Sequence, residues 1–307
     1  MNNNHPSHQR PTPEVPIITI ERDDEPSTTP STPIIIEHSK RRNPLLWVIA
    51  IALIVIVGIC ATLLAYKAWQ YYHNLGVSIS ITPTQNIAKL KAAPQSQASQ
   101  IVMTSDSILG VGLNIYAIHG VTGTIEFQEP DTADTSVFLY CRSADFKADG
   151  SYIGSLIVDG QELANNNKRL GYMAMANGNN VIGIARSEDV KDYVIEQNGC
   201  FFRQFILVSN GELPPRFHLH GKVERCAMGR IGDQLYYITS QQKETMWSFA
   251  DALREYGFTD AIYITGGKDY SFYRDHNGQR HDIHNPANYP HKKWKGIIPW
   301  LVFRKSK

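Results

Sequence analysis

The longest unbroken apolar run in the chain, Leu45–Tyr66, contains no charged residue. At about 1.5 Å of rise per residue, a helix of this length crosses the roughly 30 Å hydrocarbon core of a bilayer. A cleaved signal peptide would lie at the extreme N-terminus and would have a shorter apolar centre. The run therefore predicts a retained transmembrane helix at residues 44–66, with residues 45–66 as the contact with the membrane.

Positive charge is concentrated on one side of this run. Lys40, Arg41 and Arg42 precede it, and Lys67 is the only nearby cation after it. Cytoplasmic flanks of membrane helices carry the excess of Lys and Arg. We therefore expect a single-pass protein with a cytoplasmic N-terminus and an external C-terminal domain. That domain has no Asn-x-Ser/Thr acceptor, which favours a bacterial inner membrane and a periplasmic location.

Residues 1–43 are rich in Pro, Ser, Thr and Asn and have too few apolar residues to form a core. They predict a disordered cytoplasmic tail. Two Ile-rich segments, 16–21 and 33–37, interrupt this composition. Such segments can add as strands to the edge of a partner's sheet, and they are equally compatible with apolar patches that arose by drift. A cytoplasmic partner of the tail is therefore an open alternative.

The pattern changes after a polar, Ala/Gln/Ser-rich segment, 67–100, which predicts a juxtamembrane helix and stalk. Short apolar runs follow, separated by Asp-Gly and Asn-Gly pairs, the strongest local signal for β-hairpins. Thr245 can cap a helix that ends near Tyr256, and Gly257 can terminate it. We predict a strand-rich domain of mixed α/β (α+β) class over residues 101–307. The predicted strands are Gly120–Phe127, Ser136–Tyr140, Ile153–Val158, Gly171–Ala176, Val181–Ala185, Phe205–Val208, Leu235–Ile238 and Ala261–Ile264.

Charge and cysteine content exclude some classes of function. Thirty basic and 29 acidic side chains give a formal net charge of +1. Proteins that bind nucleic acid usually carry a strong basic excess, so no nucleic-acid partner is expected. Four cysteines in 307 residues rule out a disulfide-stapled scaffold. Cys141, Cys200 and Cys226 lie in the outer domain, where one bridge and buried free thiols are both compatible with the sequence.

A histidine-rich segment, 276–291, raises the question of a metal site. Gly, Asn and Pro interrupt it, and it lacks the Cys-x-x-Cys or His-Glu-x-x-His spacing of zinc sites. We therefore predict a hydrated loop here, and neither a metal nor another cofactor for the protein. The basic C-terminal residues, 292–307, are interpreted as a solvated face or as a surface that attracts membrane phosphates or an anionic glycan.

The order of several short glycine-containing segments resembles the phosphodiester glycosidase family, from about Tyr140 to Phe303. The segments look like the family's first strand with its glycine turns, a later glycine segment, an Arg-x-x-x-Gly motif and a Leu-Asp-Gly-Gly motif. In this chain they are residues 142–160, 197–201, 225–229 and 264–267. The resemblance implies a phosphodiester-glycosidase-like domain that hydrolyses a sugar joined through its anomeric carbon to a phosphate. It implies a phosphorylated sugar conjugate or an envelope glycan as ligand.

The resemblance also implies a site around Arg225, whose guanidinium would contact the phosphate through two nitrogens. The backbone at Gly266 and Gly267 would approach the ligand closely. Cleavage through an oxocarbenium-like state needs a carboxylate near the anomeric carbon. Asp269 is the least unsuitable candidate, although it lies beyond the glycine turn and would need a different backbone geometry from the family's. The implied catalytic residues are thus Asp269 and Arg225, and the implied substrate-binding residues are Asn198, Gly199, Arg225, Thr265, Gly266 and Gly267.

Two positions depart from the family pattern. Thr265 stands where the family has the aspartate before the paired glycines, and Arg142 stands where the first strand has an asparagine. A threonine hydroxyl cannot serve as a carboxylate base. If neither Asp269 nor the weaker candidates Asp275 and Glu196 take over this role, the domain binds a glycan or an envelope partner without hydrolysing it. The sequence leaves the enzyme and the non-catalytic binding protein open as alternatives.

Overall fold

The computed structural model describes residues 43–74, 83–94, 97–128, 131–167, 169–215, 217, 221–264, 267–285, 287 and 296–305. The predicted tail, 1–43, lies outside this part of the chain except for its last residue. The predicted transmembrane run is helical and belongs to α1 (Pro44–Asn74). By length and composition, the segment Pro44–Ala68 is a candidate membrane span, and none of its most apolar window is buried.

After α1, the described residues form three helices and four sheets. The helices are α2 (Pro83–Lys91), α3 (Asp189–Glu196) and α4 (Met246–Tyr256). The strands are β1 (Gln100–Ile108), β2 (Val111–His119), β3 (Val121–Glu126), β4 (Val137–Arg142), β5 (Asp145–Phe146), β6 (Tyr152–Ile153), β7 (Leu156–Val158), β8 (Gln161–Ala164), β9 (Gly171–Ala176), β10 (Asn179–Ile184), β11 (Cys200–Gln204), β12 (Ile206–Ser209), β13 (Cys226–Ile231), β14 (Gln234–Ser240), β15 (Asp260–Ile264), β16 (Ser271–Arg274), β17 (Arg280–His284) and β18 (Trp300–Lys305).

Three larger sheets share one apolar core. Their strand orders are β1-β2-β14-β13-β15-β12, β10-β9-β11-β7-β8 and β17-β16-β4-β18-β3, and β5 and β6 form a small ribbon. The strand pairs that position the site, described below, are antiparallel. Met228, Met173 and Leu301, one from each larger sheet, belong to the same buried cluster. The strand-rich α+β class predicted from the sequence is confirmed, because the sheets are antiparallel and the helices are few.

Local sequence signals account for several element boundaries. The Asn-Gly pairs at 177–178 and 210–211 have positive φ angles at both positions, as type I′ hairpin turns require. The hydroxyl of Thr245 accepts a hydrogen bond from the backbone N–H of Ser248 at 2.9 Å, which caps α4. Gly257 ends that helix with a φ of 108°. The predicted helix, its cap and its terminating glycine are therefore confirmed.

The segment predicted as a stalk differs from that expectation in its second half. Residues 83–91 form α2, in which Asn86 and Leu90 are fully buried. Leu90 packs in a cluster with Tyr172 and Val194, which belong to β9 and α3. Because α2 buries apolar surface against these elements, the folded domain includes it, and the chain enters that domain before the predicted boundary at residue 101.

The histidine-rich segment also differs from its prediction. Residues 280–284 form β17, which pairs with β16 through a register that matches Tyr273 with His281. The loop prediction for these five residues was wrong. Their composition is polar and their neighbours are turn formers, but pairing with β16 satisfies their backbone hydrogen-bonding groups.

Candidate functional site

The candidate site lies where β13 begins and β15 ends in the six-stranded sheet. These strands are antiparallel neighbours, and Cys226 is opposite Ile264 in the register. Arg225, which directly precedes β13, is therefore brought beside the loop that follows β15. That loop contains the paired glycines of the sequence motif. Thr265 and Gly266 themselves lie outside the described residues.

Gly267 packs directly against the backbone of Glu224. A Cβ atom at Gly267 would lie 2.7 Å from the carbonyl carbon of Glu224, which is well inside the usual separation of about 3.5–4.0 Å between non-bonded carbons. A glycine allows this approach because it has no Cβ. The structure therefore brings Gly267 to the residue next to Arg225, although the two segments are far apart in the sequence.

The guanidinium of Arg225 is buried and held by backbone carbonyls. Its Nε donates to the carbonyl oxygen of Glu244 at 3.0 Å, and its Nη2 donates to that of Gly221 at 2.9 Å. The ring centroid of Tyr263 lies 5.7 Å from the guanidinium carbon. Among the described residues, no carboxylate forms an ion pair with Arg225. A fixed cation of this kind is suited to bind an anion.

Asp269 forms an ion pair with Arg142, the last residue of β4. The two side chains are 22% and 16% exposed, respectively. The guanidinium carbon of Arg142 lies 4.9 Å from the ring centroid of Phe146, and its Nε is buried without a hydrogen-bond partner in the described part of the chain. This ion pair connects the loop after β15 with the third sheet. The guanidinium of Arg142 therefore fixes the position of the Asp269 carboxylate at this edge.

Four polar side chains near this edge were not in the predicted site. The Nζ of Lys268 lies 3.2 Å from Oε1 of Glu224. The Nδ1 of His284 lies 2.7 Å from the hydroxyl of Ser271. Burial lowers the pKa of the His284 imidazole, while Glu224 and Asp269 act to raise it. The sequence analysis missed His284 because it assigned that position to a loop. With Ile283 as its one apolar residue, segment 280–284 has no alternation that would have indicated a strand.

Asn198 and Gly199 lie elsewhere, at the corner between α3 and β11. Asn198 has a φ of 51°, and a Cβ at Gly199 would overlap a neighbouring backbone carbonyl. Strand β11 leads away from this corner toward Phe205, whose carbonyl accepts a hydrogen bond from the backbone of Tyr263. At about 3.3 Å per residue, β11 separates the two ends by roughly 15–20 Å. The structure therefore does not bring Asn198 and Gly199 to Arg225, because both residues turn the chain after α3.

The weaker carboxylate candidates also lie away from Arg225. Glu196 is the last residue of α3, at the same corner as Asn198. Asp275 is in the turn between β16 and β17, where its Oδ2 lies 3.0 Å from Nε2 of His281. This hydrogen bond lowers the pKa of Asp275. Of the carboxylates proposed from the sequence, Asp269 is the one at the Arg225 edge.

The outer-domain cysteines are buried, unpaired thiols. Cys141, Cys200 and Cys226 form no disulfide, so the structure has the free-thiol alternative. Burial raises the pKa of Cys226 to about 12 and raises that of Cys141 well above its usual value. In the part of the chain that the structure describes, no group of three or more His, Cys, Asp or Glu side chains could hold a metal ion.

A cavity of about 410 Å³ lies at the opposite end of β13, around Arg230. The Nε of Arg230 is 3.0 Å from Oδ2 of the buried Asp260. Lys89, which also lines the cavity, is paired with Asp233. Both cations are thus paired with carboxylates, whereas Arg225 has no carboxylate partner within the described ranges. We therefore place the candidate anion site at Arg225 rather than in this cavity.

Comparisons with known proteins reveal a likeness of fold. No family model matches the chain, and no curated protein matches it. A hypothetical protein from Synechocystis is similar with a TM-score of 0.50 and 9% identity, over 67% of this chain and 62% of that one. The zebrafish N-acetylglucosamine-1-phosphodiester α-N-acetylglucosaminidase catalytic domain, auto-inhibited by its pro-peptide, is similar with a TM-score of 0.49 and 15% identity, over 70% of this chain and 87% of that one. The chain thus spans less than two thirds of the Synechocystis protein.

Proposed function

We propose that this protein is a membrane-anchored, phosphodiester-glycosidase-like protein that hydrolyses a sugar-1-phosphodiester. The observation that carries the proposal is the convergence of Arg225, Gly267 and Asp269 at one edge of the six-stranded sheet. The resemblance in the sequence assigns Arg225 and Gly267 to one site, and Asp269 is the carboxylate candidate that the sequence offers beside them. The meeting of Arg225 with the segment 267–269 is the arrangement that such a site requires, and it does not follow from the positions along the chain.

In this proposal, Arg225 binds the phosphodiester. Its Nε and Nη2 are already occupied by backbone carbonyls, so the guanidinium does not have to reorganise when the ligand arrives. A preorganised charge in a buried position stabilises an anion more effectively than a mobile surface lysine does. The guanidinium N–H groups that these two carbonyls do not use would donate to phosphate oxygens.

Asp269 supplies the carboxylate at the anomeric centre. Cleavage of the bond between the anomeric carbon and the phosphate oxygen develops positive charge on the sugar. The ionised Asp269, held by Arg142, would stabilise that charge. This assignment connects the two departures from the family pattern. Thr265 replaces the family's aspartate before the paired glycines, and Arg142, in place of the family's asparagine, holds Asp269, a carboxylate that follows those glycines.

We also propose that α1 anchors the protein in a bacterial inner membrane, with the tail in the cytoplasm and the domain in the periplasm. The apolar segment Pro44–Ala68 and the basic residues 40–42 before it support this orientation. The absence of an Asn-x-Ser/Thr acceptor in the outer domain supports the bacterial location. The ligand would be a phosphorylated sugar conjugate or an envelope glycan, and residues 1–43 would recruit a cytoplasmic partner.

A second candidate function is binding without hydrolysis. The observation that favours it is the ion pair itself, because Arg142 occupies Oδ2 of Asp269. A carboxylate whose oxygen is engaged by a guanidinium is a weaker nucleophile and base than a free one. The domain would then hold the phosphorylated glycan through Arg225 and leave it intact.

The test uses the full-length chain in detergent and a panel of hexose- and N-acetylhexosamine-1-phosphate methyl diesters. Release of free reducing sugar is measured, and methyl phosphate binding is measured by calorimetry. Hydrolysis that Asp269→Asn lowers about 100-fold supports the enzyme. Binding that Arg225→Lys abolishes, without any turnover, supports the second candidate. If the wild-type protein shows neither turnover nor binding, both proposed functions are contradicted.

A further inference from the structure

A histidine and a serine face each other at the edge of the proposed site. Ser271 begins β16 and His284 ends β17, and the two residues are register partners. The Ser271 hydroxyl, in a residue that is 1% exposed, lies 2.7 Å from Nδ1 of the imidazole. Asp269 precedes Ser271 by two residues. This contact fixes the plane of the ring and leaves Nε2 as its second, unassigned nitrogen.

The charged groups that act on this imidazole belong to the proposed site. Glu224 comes from the residues before β13, and Lys268 and Asp269 come from the loop after β15. On its own strand, the nearest ionisable neighbour is Asp282, whose Oδ1 is 3.4 Å from Nε of Arg280. Glu224 and Asp269 favour the protonated ring, and Lys268 opposes it. His284 thus interacts electrostatically with Glu224 and Asp269, which come from the two segments that meet at the Arg225 edge.

We propose that His284 accepts the proton of the attacking water in the hydrolysis proposed above. The inference rests on that proposed function and adds the group that activates the nucleophile. In the tautomer that serves this role, the Nδ1–H of His284 donates to the hydroxyl of Ser271, and Nε2 carries the lone pair that accepts the proton. Ser271 then acts as a positioning residue for the ring.

The reaction balances with water as the only co-substrate. The water oxygen forms a bond to the anomeric carbon, and the bond from that carbon to the phosphate oxygen breaks. The electron pair of the broken bond leaves with a phosphate monoester, and the water proton moves to Nε2 of His284. A phosphate monoester is a weakly basic leaving group, so its departure needs no proton donor. The group that the protein must supply is therefore a base.

The environment of His284 suits this base. Burial lowers the pKa of the imidazole, so the ring is neutral at neutral pH and can accept a proton. When the proton arrives, the carboxylates of Glu224 and Asp269 stabilise the imidazolium. The rate should therefore rise with pH until the ring is neutral and should be level above about pH 6.5, the ordinary pKa of histidine.

The experiment compares the full-length wild-type chain with His284→Gln and with the matched control His281→Gln. His281 is on the same strand but pairs with Asp275 at the turn. We expect His284→Gln to lower kcat about 100-fold with KM changed less than about threefold, the loss typical of a missing general base. His281→Gln should retain the wild-type rate and pH profile. Ser271→Ala should lower kcat less than His284→Gln does.

Imidazole nitrogen NMR with methyl phosphate gives a readout that does not need turnover. Binding should shift the His284 resonances in the wild-type protein and leave them unshifted in Arg225→Lys. Turnover that survives His284→Gln with its pH profile intact overturns the inference and leaves the proposed hydrolase standing. A wild-type protein that shows the phosphate shift but no turnover overturns both the base role and hydrolysis, and supports binding alone.

Discussion

Two glycine-containing segments that the sequence placed in one site have different roles in the folded protein. At Gly267, the chain passes against the backbone of Glu224, and Arg225, Asp269 and His284 gather around the contact. At Gly199, the chain passes equally close to a backbone carbonyl, but the contact ends α3 and starts β11. Charged side chains lie beside Gly267, and one of them, Arg225, has no described carboxylate partner.

The difference shows what a glycine in a motif indicates. It predicts that two pieces of backbone, or a backbone and a ligand, come closer than a Cβ would allow. It does not distinguish these two cases. The charged neighbours make the distinction: Arg225 lacks a described carboxylate partner, whereas the corner at Gly199 serves to turn the chain.

The largest effect expected at the Arg225 edge comes from Arg225→Ala. This change leaves the carbonyls of Glu244 and Gly221 without their charged donor and should lower the free energy of unfolding by about 3 kcal/mol. It should also abolish methyl phosphate binding. Thermal unfolding and calorimetry on the full-length protein measure both effects.

Arg274→Ala is the matched control, because Arg274 is also buried and donates to backbone carbonyls, those of Val137, Gly278, Thr132 and Asp134. It should lose a similar free energy of unfolding and keep the affinity for methyl phosphate. Equal loss of affinity in both variants would show that Arg225 acts only through stability.

Gly267→Ala and Gly199→Ala test the comparison most directly. Each adds a Cβ that overlaps backbone, so each should lower the free energy of unfolding by about 1–3 kcal/mol. Only Gly267→Ala should also weaken methyl phosphate binding or slow turnover. A loss of binding in Gly199→Ala would place that corner back in the site.

Asp269→Asn distinguishes the contribution of the Asp269 carboxylate to turnover from its contribution to the stability of the fold. The ion pair with Arg142 is partly exposed, so its loss should cost about 1–2 kcal/mol of stability, while turnover should fall about 100-fold. Asp275→Asn, which changes a carboxylate at the β16–β17 turn, is the control and should keep the wild-type rate. Comparable rates in the two variants would remove Asp269 from the mechanism.

The smallest effect is expected for Asn198→Gly. The residue has a left-handed φ of 51°, which glycine adopts without steric strain but with a greater loss of chain entropy. The free energy of unfolding should change by less than about 1 kcal/mol, and ligand binding should not change. Chemical denaturation and calorimetry provide the two measurements, and a tenfold loss of affinity would contradict the assignment of this residue to chain reversal.

Much of the fold follows from local patterns. The apolar run in α1, the hairpin turns at Asn-Gly pairs and the capped helix α4 depend on residues that are close in the sequence. Strand β9 begins and ends at the predicted residues because Gly, Asn and apolar residues delimit it locally. The packing of α2 into the domain and the strand β17 were not predicted, since each is held by contacts with partners distant in the sequence.

The sequence alone determined the long apolar helix, the strand-rich class and the candidate residues Arg225, Gly267 and Asp269. Only the tertiary structure decided which of the candidates meet. Antiparallel register places Arg225 beside the loop after β15, pairs Asp269 with Arg142, brings His284 to the same edge and leaves Asn198 at a distant corner. The reason is physical: propensity and turn chemistry act over a few residues, whereas a site is set by strand pairing and core packing between segments far apart in the chain.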